Sequence, residues 1–392
     1  MTPINSLEAR PAISVWRSEP FRYFFPLGVI FAWIGVGHWL TYATGVTATY
    51  SCKIHGLVQM QAFMMAFATG FLLTALPRRT NSPAVSRIEM GALTIALAVT
   101  TVGALAERWL ISEIAYAAIF LLLVQFALRR FMGRAAGRRP PAAFVLLPIA
   151  ALIGMAGAVL IAAAEFQGAP AWSSSLGRLM VEQGVFLCLA VGIGALVLPL
   201  VAGAPPPPDL GSSPRETWKA VAFAGAGFAI FASLMIEQAG YERIGPLLRA
   251  IVVALGLGLG GGAWRLPAKP GLHRQLIWLS AWLMPAGLVI SAIWPDYRVP
   301  SLHILFIGGF SLLVFGVATH VALSHLNNME QLALGRPPVV IILAAAFILA
   351  LIVRFAADAS NTYFLYLGWA AALWIAGSAV WLLFFAPKIL HP

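Results

Sequence analysis

Long apolar runs alternate with short polar connections along almost the whole chain. A membrane-spanning helix needs about 20 mainly apolar residues, and the sequence supplies twelve such runs. We therefore predict an all-α fold, a polytopic transmembrane bundle of about 12 helices. The predicted spans are 22–45, 53–76, 86–106, 110–130, 142–164, 176–202, 217–238, 245–264, 274–294, 301–323, 338–357 and 362–386.

The connections hold most of the charged residues and the clearest loop signals. The segments 133–141 (GRAAGRRPP) and 202–217 (AGAPPPPDLGSSPRET) are typical of loops rich in Pro, Gly and Arg. The second segment follows the sixth span. We therefore predict a single integral membrane domain, 1–392, with six plus six spans on either side of a cytoplasmic Pro-rich loop at 203–216. The two halves show no convincing repeat.

The basic residues predict the orientation of the bundle. With the N-terminus in the cytoplasm, 18 of the 25 Lys and Arg residues fall on the cytoplasmic side and 7 on the outer side. Cytoplasmic loops of membrane proteins carry this excess of positive charge. Shifting the count by one span would invert the bias of the later loops, so the pattern predicts an N-in, C-in topology.

Composition excludes several other classes of protein. Hydrophobic residues make up 60% of the chain and charged residues 10%, whereas soluble domains average about 25% charged residues. The lipid bilayer is therefore the expected partner. The basic residues that give the net charge of +11 lie between apolar segments and not on a soluble surface, so we predict no nucleic-acid binding. Cys52 and Cys188 provide neither a disulfide framework nor a four-ligand zinc site, and residues 1–20 lack the apolar core of a signal peptide.

Histidines carry the candidate chemistry. Of the seven in the chain, His273 and His391 fall at predicted cytoplasmic loop or tail positions, where we expect them to be solvated. An ionisable side chain at membrane depth is costly and is a functional candidate by default; the alternative is a hydrogen bond between two helices. The five histidines in or at the ends of spans are His38, His55, His303, His320 and His325.

His55 has the most informative surroundings. On its helical face, at steps of three or four residues, lie Gln59, Ala62, Ala66 and Gly70. Small residues below an imidazole leave a shallow groove for a flat macrocycle, with the imidazole as its axial ligand. The same small residues would equally let a neighbouring helix approach closely.

The tenth predicted span separates two levels of histidine. His303 lies near the outer surface at a depth similar to that of His55, and His38 could complete an outer cluster. His320 and His325 lie about 25 Å or more further in, at 1.5 Å per residue. We therefore predict an outer and an inner site, although His320 and His325 are about 140° apart around the helix and poorly placed for one ion.

The types of candidate ligand do not identify a single metal. Imidazole suits iron, copper and zinc, whereas the scarcity of carboxylates inside the spans argues against magnesium or calcium. Further polar side chains in the sixth and seventh spans would hydrogen-bond a ligand or a histidine, or merely reach water. They are Glu182, Gln183, Glu237 and Gln238.

Two segments resemble the paired signatures of the NnrS family. Segment 54–80 (IHGLVQMQAFMMAFATGFLLTALPRRT) keeps the entry histidine and the GFLLTA motif, with Leu57 where the family has a second histidine. Segment 302–325 (LHILFIGGFSLLVFGVATHVALSH) has His320 in place of an arginine and Ser324 in place of a glycine. The positions that match are His303, Gly308, Gly316, Val317, Thr319, Val321, Leu323 and His325.

The resemblance implies a bacterial inner-membrane protein that binds haem and copper and is associated with nitric oxide resistance and denitrification. On this basis His55, His303, His320 and His325 would bind haem or metal, and His38 would be a further metal ligand. Nitric oxide would be the small gaseous ligand. Leu57 removes one family ligand, and the additional His320 offers a replacement.

A more distant resemblance is to subunit I of haem–copper oxidases, where a histidine followed by glycine in span two ligates a haem. His55 is followed by glycine. The chain has no HPEVY-like segment and no adjacent His–His pair, so we expect no oxygen reduction coupled to proton pumping.

Two other functions fit the same pattern. Twelve spans with Gly- or Pro-interrupted segments in spans six and eight are typical of a secondary transporter of a small solute. A non-catalytic assembly partner of a respiratory complex is the third possibility. The sequence leaves enzymatic turnover, the haem type and the oligomeric state open.

Overall fold

A computed structural model of the protein describes residues 14–133, 139–325 and 335–390. Within these ranges the chain is helical and contains no β-strand. A four-residue helix, Val15–Ser18, precedes the spanning helices. His391 lies outside the described residues.

Twelve apolar helices form the bundle in the described part of the chain, which confirms the predicted polytopic all-α fold. Eleven are long and apolar enough to cross a membrane, and the eighth is a shorter apolar helix. Their bounds are α1 Phe21–Ala43, α2 Cys52–Thr80, α3 Arg87–Leu105, α4 Trp109–Met132, α5 Ala142–Ala163, α6 Trp172–Val201, α7 Pro214–Gln238, α8 Ile244–Gly260, α9 Leu272–Ile293, α10 Pro295–His325, α11 Pro338–Asp358 and α12 Tyr363–Leu390.

Local sequence signals explain where two of the helices begin. The Ser86 hydroxyl accepts from the Glu89 N–H, and the Glu89 carboxylate accepts from the Ser86 N–H, so α3 starts with a capping box. Ser213 caps α7 ahead of Pro214. The segment of the sixth span that contains Pro199 is helical, and α6 continues through this proline to Val201.

Three helices occupy the centre of the bundle. In their most apolar stretches, 83% of α2, 78% of α6 and 67% of α10 is buried, whereas each other long span is at most 56% buried. Aromatic contacts join the three: Phe186 of α6 lies 6.1 Å from Phe310 of α10 between ring centroids, and Phe63 of α2 lies 6.1 Å from Phe315 of α10. The groups that line the centre therefore come mainly from these helices.

The contacts between helices follow a period of four spans. In each of the sets α1–α4, α5–α8 and α9–α12, the first helix packs on the second and the third packs on the fourth. The fourth helix of each set packs on the first helix of the next, and α12 packs on α1. The helices α2, α6 and α10 therefore occupy equivalent positions. The six-plus-six division about loop 203–216 stays a prediction.

The three central helices are not uniformly α-helical. A π-helical turn spans Val58–Met64 in α2, Met180–Gly184 in α6 and Ile304–Ser311 in α10. A further π turn, Gly256–Gly260, ends α8. A π turn widens the backbone and changes which side chains face inward, and such turns are frequent at functional sites.

Candidate functional site

A cavity of about 450 Å³ lies at the ends of the central helices that the distribution of basic residues predicts to face outward. Ligand pockets commonly have volumes of about 300–1,000 Å³. The wall of this cavity is largely apolar and aromatic, and the π turns of α2, α6 and α10 all contribute to it. His55 and His303 both line this cavity. The structure therefore brings together the two histidines that the sequence places at similar depth; we call this the outer cavity.

His55 is held in one orientation by the neighbouring helix α1. Its Nδ1 lies 3.0 Å from the carbonyl oxygen of Gly35. A carbonyl only accepts, so Nδ1 carries the proton and Nε2 keeps its lone pair. Gly35 also lets α2 lie close to α1, because a Cβ there would lie 2.5 Å from the Gln59 side-chain nitrogen.

His303 has the same arrangement within its own helix. Its Nδ1 lies 2.8 Å from the carbonyl oxygen of Val299, one turn earlier in α10. Nδ1 is therefore the donor here too, and Nε2 is the acceptor. Metal-bound histidines generally donate one ring N–H to a carbonyl or carboxylate, which fixes the tautomer and leaves the other nitrogen for the metal. Both histidines have the donor chemistry of an axial haem ligand or a metal ligand.

Three arginines also line the outer cavity, each on a different helix: Arg178 on α6, Arg298 on α10 and Arg354 on α11. Each has a carboxylate partner. Arg178 Nε lies 2.9 Å from Glu182 Oε1, and Arg354 pairs with Asp358 and also donates to the Tyr363 hydroxyl at 3.3 Å.

The third arginine, Arg298, belongs to an ion triad whose other two members, Glu237 and Arg249, are buried. Both carboxylate oxygens of Glu237 on α7 accept from arginines, one from Arg298 and the other from Arg249 on α8. Arg249 is fully buried. The carboxylate therefore ties three helices together and fixes the position of the Arg298 guanidinium at the cavity wall.

Glu182 lies directly against the first turn of α2. A Cβ on Gly56 would lie 2.8 Å from Glu182 Oε1. The glycine that follows His55 therefore lets the carboxylate of α6 approach the α2 backbone. Glu182 lines the outer cavity and accepts from Arg178; that it hydrogen-bonds a ligand or a histidine stays a prediction.

His38 lies near this region but is engaged with the backbone. Its Nε2 accepts from the Ser51 N–H at 2.6 Å, and Ser51 caps α2 through its side chain. His38 thus fixes the start of the helix that carries His55. No group of three or more His, Cys, Asp or Glu side chains among the described residues has the spacing of a metal site.

The small residues on the predicted face of His55 pack against a helix. A Cβ on Gly70 would lie 2.9 Å from the Phe24 Cβ of α1, and Ala66 is fully buried beside Gly28 of the same helix. The π turn 58–64 lies between His55 and these positions and moves them off its face. The groove alternative therefore fails for Ala66 and Gly70, and the close-approach alternative is correct.

The inner histidines have protein partners. His320 Nδ1 lies 3.3 Å from Nε2 of His273, and their rings stack at 5.5 Å between centroids. The expectation that His273 is solvated is wrong: it lies in the first turn of α9 and is 1% exposed. His325 donates from Nδ1 to the Val321 carbonyl at 2.8 Å, and its Nε2 accepts from Arg78.

The remaining polar candidates lie away from the outer cavity. Gln238 accepts from the Ser175 hydroxyl at 2.9 Å in an exposed position, and Gln183 is buried within the π turn of α6. Sequence reasoning missed the three arginines as site residues. Their signal was present, because they belong to the minority of basic residues on the predicted outer side, and two have an acidic residue four positions later.

Comparison with known proteins identifies the family of the chain. The family model described as NnrS protein matches residues 15–392, almost the whole sequence. Comparison with curated proteins gives no match. The chain therefore belongs to the NnrS family, whose members are membrane proteins of the nitric oxide response.

Proposed function

We propose that the protein binds haem in the outer cavity, with His55 and His303 as the candidate axial ligands, and acts in the nitric oxide response of the bacterial inner membrane. The observation that carries the proposal is the shared wall: two imidazoles with donor Nδ1 atoms line one cavity of about 450 Å³. Copper is the alternative occupant, because it would compete for the same Nε2 atoms.

The rest of the wall fits a flat, mostly apolar group that has an acidic edge. Phe63, Phe306, Phe310 and Trp374 contribute aromatic surface. The guanidinium groups of the three arginines suit the carboxylates of a porphyrin, since planar guanidinium binds carboxylate in a bidentate way. Each arginine is already oriented by an acidic partner, which lowers the entropy lost on binding.

Bound haem, held by His55, His303 or both, would supply an iron centre able to bind nitric oxide. The residues of this chain would determine how the group is held. His55 and His303 would hold the group through their Nε2 atoms, since Nδ1 of each is engaged by a backbone carbonyl. Glu182 holds Arg178 beside the site, with 2.9 Å between Arg178 Nε and Glu182 Oε1.

The test is an absorption spectrum of detergent-purified protein, dithionite-reduced minus oxidised. The wild type, from cells supplied with a haem precursor, is expected to show a Soret band. His55→Ala, His303→Ala or both should lose it. Loss in one variant identifies a single axial ligand, and loss in both identifies a pair.

His325→Ala is the matched control, because its ring is engaged by Arg78 at the opposite end of α10. It should keep the wild-type spectrum and haem content. A featureless wild-type spectrum overturns the proposal. A haem content halved by His320→Ala or His325→Ala would support the inner site, which stays a prediction.

A secondary transporter of an anionic solute is the second candidate function. The observation that favours it is the cluster of Arg178, Arg298 and Arg354 around a cavity at the outer side. Uptake of a labelled anion into proteoliposomes, in protein that shows no haem band, would support this function instead.

A further inference from the structure

A second cavity, of about 60 Å³, lies between α1, α2, α6 and α10. Every side chain in its wall belongs to Phe, Met, Ala, Leu, Ile or Val. We call it the apolar chamber. The proposed haem site does not use it, and no polar side chain of the described residues reaches into it.

The apolar chamber adjoins the outer cavity through two shared residues. Met64 and Phe310 line both spaces. Each belongs to a π turn, Met64 at the end of Val58–Met64 and Phe310 within Ile304–Ser311. Met64 lies nine residues after His55, about 13 Å deeper along α2. The chamber is therefore the next space inward from the histidines, near the middle of the bundle.

The wall chemistry selects the occupant. A buried water needs two to four polar partners, and apolar cavities stay dry or take up apolar molecules such as xenon. The chamber offers no such partners and has room for a few water-sized molecules. Ions and polar solutes are excluded by the cost of losing their hydration. A small uncharged gas molecule meets both limits of size and polarity.

We propose that the apolar chamber binds a small uncharged gas molecule and passes it to the outer cavity between Met64 and Phe310. The identity of the gas as nitric oxide rests on the proposed function; the binding of a gas does not. Met64 is suited to the boundary, because an unbranched thioether side chain changes rotamer at little cost. The chamber would raise the local gas concentration beside the candidate haem ligands.

The first experiment uses xenon as the probe and needs no haem. Xenon at moderate pressure should give a bound peak in crystals of the full chain, or a bound ¹²⁹Xe resonance in detergent. Ala68→Phe places a ring in the chamber and should abolish the signal. Phe71→Ala enlarges the chamber and should strengthen it.

The matched control for Ala68→Phe is Ala222→Phe on α7. Ala222 is exposed on the surface of the bundle, away from the chamber. The same substitution there leaves the chamber unchanged, and xenon should bind as in the wild type. Phe71→Ala removes atoms, so it tests the proposal even where Ala68→Phe does not fold. Absence of xenon from the wild-type chamber, or equal signals in all variants, overturns the proposal.

The second experiment tests passage to the outer cavity. Carbon monoxide recombination after flash photolysis of the haem-loaded protein should be about tenfold slower in Ala68→Phe than in Ala222→Phe, as expected when access limits association. Equal rates overturn the passage role. Purified wild-type protein that contains no haem would contradict the proposed function. The xenon result would then still decide whether the chamber binds gas.

Discussion

The outer cavity and the inner end of α10 both present histidines, yet they use them differently. At the outer cavity, Nδ1 of His55 and of His303 binds a backbone carbonyl, and Nε2 has no hydrogen-bond partner among the described residues. At the inner end, His320 is paired with His273, and both ring nitrogens of His325 have partners. His55 and His303 therefore each keep one ring nitrogen free for a ligand beside a cavity, whereas His325 has no ring nitrogen left.

Arginines show the same contrast. The outer arginines have acidic partners and also line a cavity. At the inner end, Arg78 pairs with Glu19 at 2.9 Å and with His325, and its side chain is 48% exposed. The outer network is therefore expected to be important for both stability and binding, whereas the inner one is expected to contribute little to either.

The largest expected effect is in the outer ion triad. Glu237→Gln removes the negative charge between Arg249, which is fully buried, and Arg298. Breaking a buried pair costs about 3–5 kcal/mol, whereas Arg78→Gln should cost less than about 1 kcal/mol, as expected for an exposed pair. Thermal unfolding in detergent measures both, and similar losses would remove the contrast between the two ends.

A smaller effect is expected at the contact between α2 and α6. Gly56→Ala places a Cβ 2.8 Å from Glu182 Oε1, and such overpacking costs about 1–3 kcal/mol. Gly91→Ala is the matched control, because a Cβ on that glycine of α3 meets nothing within 4 Å. A melting temperature equally insensitive to both changes would show that Glu182 does not depend on the glycine.

The inner histidine pair should affect stability alone. His273→Ala and His320→Ala, with the double variant, form a cycle that measures their coupling. A single hydrogen bond predicts about 0.5–1.5 kcal/mol, with the Soret band unchanged. Loss of bound haem or copper in either variant would turn this pair into a second binding site.

The smallest effect is expected for His38→Ala. The substitution removes the acceptor of the Ser51 N–H, a bond of 2.6 Å at the start of α2. The expected cost is about 1 kcal/mol, and haem content should stay at the wild-type level. A loss of haem or copper content as large as that of His55→Ala would instead restore His38 as a ligand, as the sequence predicts.

Hydropathy alone predicts nearly all of the fold, because crossing a bilayer demands a long apolar run whatever the helix packs against. The predicted spans 53–76 and 338–357 fall within α2 and α11. The period of four between helix contacts is invisible in the sequence. It depends on which faces pack together, and apolar residues on lipid-facing and buried faces are alike.

The candidate site was predictable only in part. Depth along the spans predicted that His55 and His303 lie together. The convergence of Arg178, Arg298 and Arg354 was not predicted, because it requires the relative positions of three helices. The wrong prediction of a groove lined by small residues below His55 has a local cause. A π turn leaves composition and hydropathy unchanged, but it alters which residues share a face.

The contact of α12 with α1 has a mechanical consequence. Trp33 donates to the Ser378 hydroxyl at 2.8 Å, and Arg22 donates to the Ile389 carbonyl at 2.9 Å, both across this seam. A force applied to either α1 or α12 loads the same seam first. Extraction from a membrane by a force probe should therefore begin with the same rupture from both directions, and only the later steps should depend on which helix is held.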